Sequence, residues 1–160
     1  MTLENLVQLL NEDLKREYAH WHFYINAAIR VTGVHREEIQ EFFQKEAAGE
    51  MQHIQEFGQL ILGLGGVPTT DVAYFITPGL HNSLTRDITS DTQPEFLLNA
   101  ALKMEMEVVE CFVQRMEQAA ELEESGIPGA KVNGRYVQIF LEEQMLDSRH
   151  TVDHIKEMLK

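Results

Sequence analysis

The chain has 160 residues, 44% of them hydrophobic and 24% charged, a balance that suits one globular domain (residues 1–160) with its own core and excludes a disordered or fibrous protein. With 26 acidic against 13 basic side chains, the formal net charge is -13, which opposes nucleic acid or an anionic membrane as a partner. That charge fits plain solubility as well as it fits a field that gathers cations.

A single cysteine, Cys111, leaves no disulfide framework and no cysteine-rich redox module. Residues 1–20 carry Glu4, Glu12, Asp13 and Glu17 without the basic start and apolar block of a signal peptide, and no apolar run reaches membrane-spanning length. A reducing cytoplasm is the expected location.

Breaks at Gly33, from Gly63 to Pro94 and from Gly126 to Gly134 divide the sequence into four periodic segments, predicting an all-α chain of four helices. The first starts at Thr2, whose hydroxyl suits a cap, and brings Leu6, Leu10, Leu14, Glu17, Tyr24 and Ala28 to one face. The second runs from about His35 to Leu64, with Glu46, Glu50 and His53 interrupting a stripe of Ile39, Phe42, Phe43, Phe57, Leu60 and Ile61. Pro94 and Glu95 suit the first turn of a third helix reaching about Ser125, with Glu105 amid Leu98, Leu102, Val109 and Phe112. The fourth is expected from about Arg135 to the C-terminus, with Tyr136, Ile139, Phe140, Glu143, Asp147, His150 and His154 near one face.

Short breaks make helices one and two, and three and four, antiparallel hairpins. The 29 residues from Gly65 to Gln93 span roughly 95 Å when extended, against about 45 Å for a 30-residue helix, so they suffice for one long crossover. Within it, Val72 to Ile76 reads equally as apolar cover or as a subunit contact.

An ionised carboxylate buried in hydrocarbon requires a cation or strong hydrogen bonds, and every predicted helix places one mid-stripe. Glu17, Glu50 with His53, Glu105, and Asp147 with His150 together make four carboxylates and two imidazoles, the donor set of a dinuclear metal site. A spacing of three puts Glu50 beside His53, and Asp147 beside His150, on one helix face. One such pair in an acidic helical chain is ordinary and reads as a solvated face; two, each matched by a mid-stripe Glu on the preceding helix, point to metal. Tyr24, one heptad after Glu17, reads equally as a hydrogen-bond partner of a ligand or as core. Glu46 and Glu143 read as supporting acids, extra ligands or an ion route. His20, His22 and His154 read first as packing or surface histidines, although His20 follows Glu17 by three. Met51, Met104, Met106 and Met145 read as core or interface filler.

These residues resemble the ferritin superfamily, bacterioferritin above all. Arg16-Glu17-Tyr18 through Tyr24, and Glu50-Met51-Gln52-His53, look like the family's first-helix Glu, its following Tyr and its Glu-x-x-His. The resemblance implies a ferritin-like four-helix bundle that binds two Fe ions per subunit and oxidises Fe(II) with oxygen or peroxide, for iron storage or detoxification, in a homo-oligomer. By position it implies Glu17, Glu50, His53, Glu105 and His150 as ferroxidase ligands, Glu50 bridging, with Asp147 where the family usually carries Glu. That aspartate is one methylene short for a bridge, and Glu143 is placed to compensate. Ten residues after His150 leave no room for the fifth helix of large ferritin shells. Met51 matches the position of the haem sulfur ligand in bacterioferritin, and haem and packing both remain open for it. The rival readings are a di-metal oxygenase or peroxidase that stores no iron, and a metal-free interaction bundle.

Overall fold

In the computed structural model, which describes residues 1–70 and 92–160, the chain forms four helices: α1 (Leu3–Arg30), α2 (Arg36–Gly63), α3 (Pro94–Glu123) and α4 (Ala130–Met158). Each is about 42–45 Å long at 1.5 Å per residue. No strand occurs among the described residues, and none of the described helices is long and apolar enough to cross a membrane. Thr2 caps α1, its Oγ1 accepting a hydrogen bond from the Asn5 backbone N–H at 3.2 Å. Pro94 opens α3, where a missing N–H has no cost, and Glu95 faces the positive end of the helix dipole.

Helix α1 packs along α2, α3 packs along α4, and α1 also meets α3, so the two expected hairpins form one bundle. Gly33, at φ 106°, turns the chain between α1 and α2. The Thr32 backbone N–H and hydroxyl donate to the Thr92 carbonyl at 3.0 and 3.2 Å, which sets the start of α3 beside the end of α1. Beyond α2, Asn11 Nδ2 donates to the Val67 carbonyl at 3.2 Å, near the start of α1. The connection from α2 to α3 thus joins opposite ends of the bundle, as a long crossover must. Residues 71–91, including the segment Val72 to Ile76, lie outside the described residues.

Helix α4 departs from the sequence expectation twice. It begins at Ala130 rather than near Arg135, so Gly134 lies inside the helix. A Cβ there would sit 2.5 Å from the Ala119 carbonyl oxygen, so glycine's cost in a helix of about 1 kcal/mol is offset by close approach to α3. Its buried face carries Gly134, Val137, Leu141, Gln144, Ser148, Val152 and Ile155, not the predicted Tyr136, Ile139, Glu143, Asp147 and His150. The expected face was one residue out, or about 100° around the helix, because Tyr136, Ile139 and Leu146 are large apolar residues that the fold leaves exposed. The true face interleaves Val137, Leu141, Val152 and Ile155 with Gly134, Gln144 and Ser148, which weaken its hydrophobic signal.

Buried apolar side chains form two clusters. One gathers the later part of α1 with the first half of α2 and the start of α3 around Phe23, Phe43 and Leu97; the other gathers Leu10, Phe57, Phe112 and Leu141 towards the opposite end. Between them runs a polar layer containing Glu17, His20, Glu50 and Glu105, all buried.

One further buried charge anchors α1 to α3. Asp13 accepts from Arg115 Nε at 2.6 Å and Nη2 at 3.0 Å, and from Arg16 Nη1 at 2.6 Å, while Arg115 also bonds Gln118. Asp13 and Arg115 are both nearly inaccessible, so loss of either strands a buried charge. Arg115→Leu is expected to destabilise the bundle by about 3 kcal/mol, read from the midpoint of urea unfolding.

Candidate metal centre

Helical spacing builds the centre. Glu17 and His20 lie three apart on α1, and Glu50 and His53 lie three apart on α2; the helices run antiparallel, so each pair faces the other across the hairpin. His53 Nδ1 lies 3.3 Å from Glu17 Oε2 and 3.4 Å from Glu50 Oε2. On the other side of Glu50, His20 Nδ1 lies 3.6 Å from Oε1. From α3, Glu105 completes a second cluster. Donor atoms of Glu17, Glu50 and His53 all lie within 4.8 Å of one another, as do those of His20, Glu50 and Glu105, with Glu50 common to both.

Around these groups the supporting bonds are short. The Tyr24 hydroxyl donates to Glu105 Oε1 at 2.5 Å. His53 Nε2 meets Asp147 Oδ2 at 2.9 Å, and Thr151 Oγ1 donates to Glu46 Oε2 at 2.9 Å. A cavity of about 10 Å³, the room of about one water molecule, is lined by Glu46, Glu50, His53, Glu105, Asp147, Ser148 and Thr151.

Burial and the neighbouring Glu50 charge push the Glu17 carboxyl up to about 7. Burial and Glu50 push Glu105 up to about 8. Burial alone would raise Glu50 too, but His20 and His53 beside it hold it below the usual carboxylate range. Burial opposes charge on the imidazoles, yet the surrounding glutamates raise His20 to about 9 and His53 to about 11. Burial first, then Glu105, drives the Tyr24 phenol well above its usual value, so it remains a proton donor. Without a cation the layer is therefore held together by protons.

The residues fit a cation in those protons' place. Glu17 Oε1 and Glu50 Oε2 are buried without a hydrogen bond, an arrangement that is costly unless something positive is bound. The imidazole–carboxylate separations of 3.3 to 3.6 Å exceed those of charge-assisted hydrogen bonds, about 2.7–2.9 Å. They are close to the edge of about 3.4 Å that a tetrahedral ion with bonds near 2.1 Å would give.

Of the residues picked out from the sequence, the fold brings together Glu17, Glu50, His53 and Glu105, with Tyr24, Glu46 and Asp147 touching them. Asp147 bonds the outer nitrogen of His53 from the edge of the small cavity, and its side chain is 63% exposed. His150 is exposed, one turn beyond Asp147, and Glu143 is exposed as well; neither lines the cavity at the centre. Met51 is 40% exposed on the outer side of the first hairpin, beside an apolar groove with Trp21 and Ile25. His154 packs edge-on against Phe42. His20 is the residue that sequence reading undervalued, and its spacing from Glu17 was the available signal.

A family model of the ferritin-like domain matches residues 7–127. The chain belongs to that family. The ferritin-like chain is similar in structure to a ferritin-like diiron-carboxylate protein from Bacillus anthracis (25% identity, TM-score 0.75, covering 99% of this chain and 97% of that one). It is also similar to a dodecameric, bacterioferritin-related thioferritin from Bacteroides fragilis (23% identity, TM-score 0.64, covering 99% and 90%) and to a Dps protein from Vibrio cholerae (13% identity, TM-score 0.82, covering 99% and 91%). No curated protein matches this ferritin-like chain.

Above about pH 5, where Glu50 is ionised in both states, the protonated layer makes stability depend on pH in one direction. Glu17 and Glu105 hold protons in the fold that the unfolded chain releases near 4.5, and His20 and His53 hold protons that it releases near 6.5. In each case the native state binds more protons, so stability is full below the unfolded value and falls as pH rises through the folded one. Thermal melts of metal-free protein are expected to show a midpoint that drops from about pH 5 to about pH 9, with a slope flattened by Glu17→Gln with Glu105→Gln. A midpoint independent of pH would contradict this electrostatic reading.

Proposed function

We propose that this ferritin-like protein is a ferroxidase, taking two Fe(II) ions as substrate in the layer between its helices and oxidising them for storage or detoxification. The observation that carries the reading is the pair of three-residue donor clusters sharing the buried Glu50, in a fold whose structural relatives include a diiron-carboxylate protein. Carboxylates and imidazoles are donors that suit iron.

Glu17 and Glu105 would each hold one ion, and Glu50, with one oxygen towards either cluster, would lie between them. His53 would bind through Nδ1 while Asp147 holds its Nε2 and so fixes ring orientation; Asp147 is thus assigned a positioning role in place of the bridging one expected from sequence. Tyr24 fixes one oxygen of Glu105. Clustered negative charge stabilises Fe(III) more than Fe(II), which favours electron loss. Two Fe(II) ions give one electron each to dioxygen, which takes up two protons to become hydrogen peroxide; with peroxide as oxidant the same electrons and protons yield two waters. Protons displaced from Glu17, Glu105, His20 and His53 as iron binds are of the kind that reduction consumes.

Assembly into a homo-oligomer is part of the proposal, supported by the apolar side chains Tyr136, Ile139 and Leu146 exposed along α4 and by Ile29 and Met51 on the first hairpin. In stopped-flow absorbance with two Fe(II) per chain and oxygen, wild-type protein is expected to form Fe(III) well faster than protein-free buffer. Glu50→Ala should fall to the buffer rate, and Asp147→Ala should lose about tenfold or more. A wild-type rate equal to that of buffer would remove the ferroxidase proposal.

A further inference from the structure

We propose that His20, on α1, is the imidazole ligand of the second metal ion, so that the paired Glu-x-x-His motifs of the centre are Glu17-x-x-His20 and Glu50-x-x-His53 and α4 supplies no histidine. The inference rests on the metal-binding part of the function proposed above and adds which residues hold which ion.

Glu50 stands between two imidazoles. Its two oxygens face two different imidazoles: Oε2 lies 3.4 Å from His53 Nδ1, and Oε1 lies 3.6 Å from His20 Nδ1. Glu50 and His53 cluster with Glu17, and Glu50 and His20 cluster with Glu105. The result is two equivalent donor sets around one bridging acid, each holding two carboxylates and one ring nitrogen. His20 is 2% exposed, and its place among Glu17, Glu50 and Glu105 is unlike that of an ordinary packing histidine.

The alternative imidazole does not reach. His150 is exposed, and it is not among the residues that α4 gives to the cavity beside Glu50, which are Asp147, Ser148 and Thr151. Moving His150 inward would drive Ser148, Val152 and Ile155 out of the buried face. The second ion would also have its own approach. A groove of about 250 Å³ between α1 and α3 has His20 in its wall, with the exposed Glu107 and Glu110 along it and Arg16, whose charge is paired with Asp13, beside them. Carboxylates there favour cations at the side of the bundle from which the second donor set is reached.

Anaerobic titration with Co(II) alone, followed by visible absorption, tests the assignment without any turnover. Wild type is expected to bind two Co(II) per chain, His20→Ala to keep one and bind the other at least about tenfold more weakly, and His150→Ala to bind both as wild type does. A gain of signal covers the case in which His20→Ala folds poorly. His20→Cys, in a Cys111→Ser background, is expected to add a thiolate-to-Co(II) charge-transfer band in the near ultraviolet that Cys111→Ser alone and His150→Cys in the same background lack. Two tight Co(II) in His20→Ala, loss of one in His150→Ala, or a thiolate band only in the His150→Cys protein would overturn the assignment while leaving a two-metal ferroxidase intact. A wild type that binds no Co(II) would overturn the assignment together with the metal site itself.

Discussion

The structure turns on the cost of placing three glutamates in the interior of a helical bundle. Glu17, Glu50 and Glu105 lie between two apolar clusters, where the ionised forms lose hydration and repel one another. Two arrangements relieve that strain: protons and imidazolium groups, or bound cations. Raised proton affinity at Glu17, Glu105, His20 and His53 describes the first, and the buried oxygens of Glu17 and Glu50 that lack a hydrogen-bond partner mark the place for the second. Metal binding and proton release are then the same event seen from two sides.

Holding like charges together requires a scaffold that does not yield. The ion pair of Asp13 with Arg115 ties α1 to α3 one helical turn from Glu17, and the close approach at Gly134 locks α4 against α3. Tyr24 orients Glu105 from the apolar cluster on one side, while Phe57 and Phe112, stacked at 6.0 Å, belong to the cluster on the other. Rigid surroundings matter because a donor atom displaced by about 1 Å no longer shares an ion with its neighbours.

Much of this was legible in the sequence because charged residues in apolar stripes stand out. On α1 to α3 the heptad of Leu98, Glu105, Phe112 and Ala119, and the run from Leu6 through Leu14 to Glu17, located both the core and the acids within it. On α4 the same method failed, since its buried face consists of Gly134, Gln144, Ser148 and a few aliphatics while Tyr136 and Ile139 point outward. The face expected from the sequence carried Asp147 and His150, and in the fold both side chains are exposed. Asp13 was hidden for a related reason: one acid among several on α1 shows nothing of an arginine more than a hundred residues away. His20 carried the right spacing from Glu17, but one histidine beside a glutamate gains meaning only when the antiparallel α2 brings Glu50 against it.

The central claim is that Glu50 lies between two cations held by two donor sets on three helices. Anomalous diffraction at the iron edge from crystals loaded anaerobically with Fe(II) addresses it directly. The account predicts two peaks per chain, one among Glu17, Glu50 and His53 and one among His20, Glu50 and Glu105. A layer without iron, or a peak pair centred on α4 at Asp147 and His150, would contradict it.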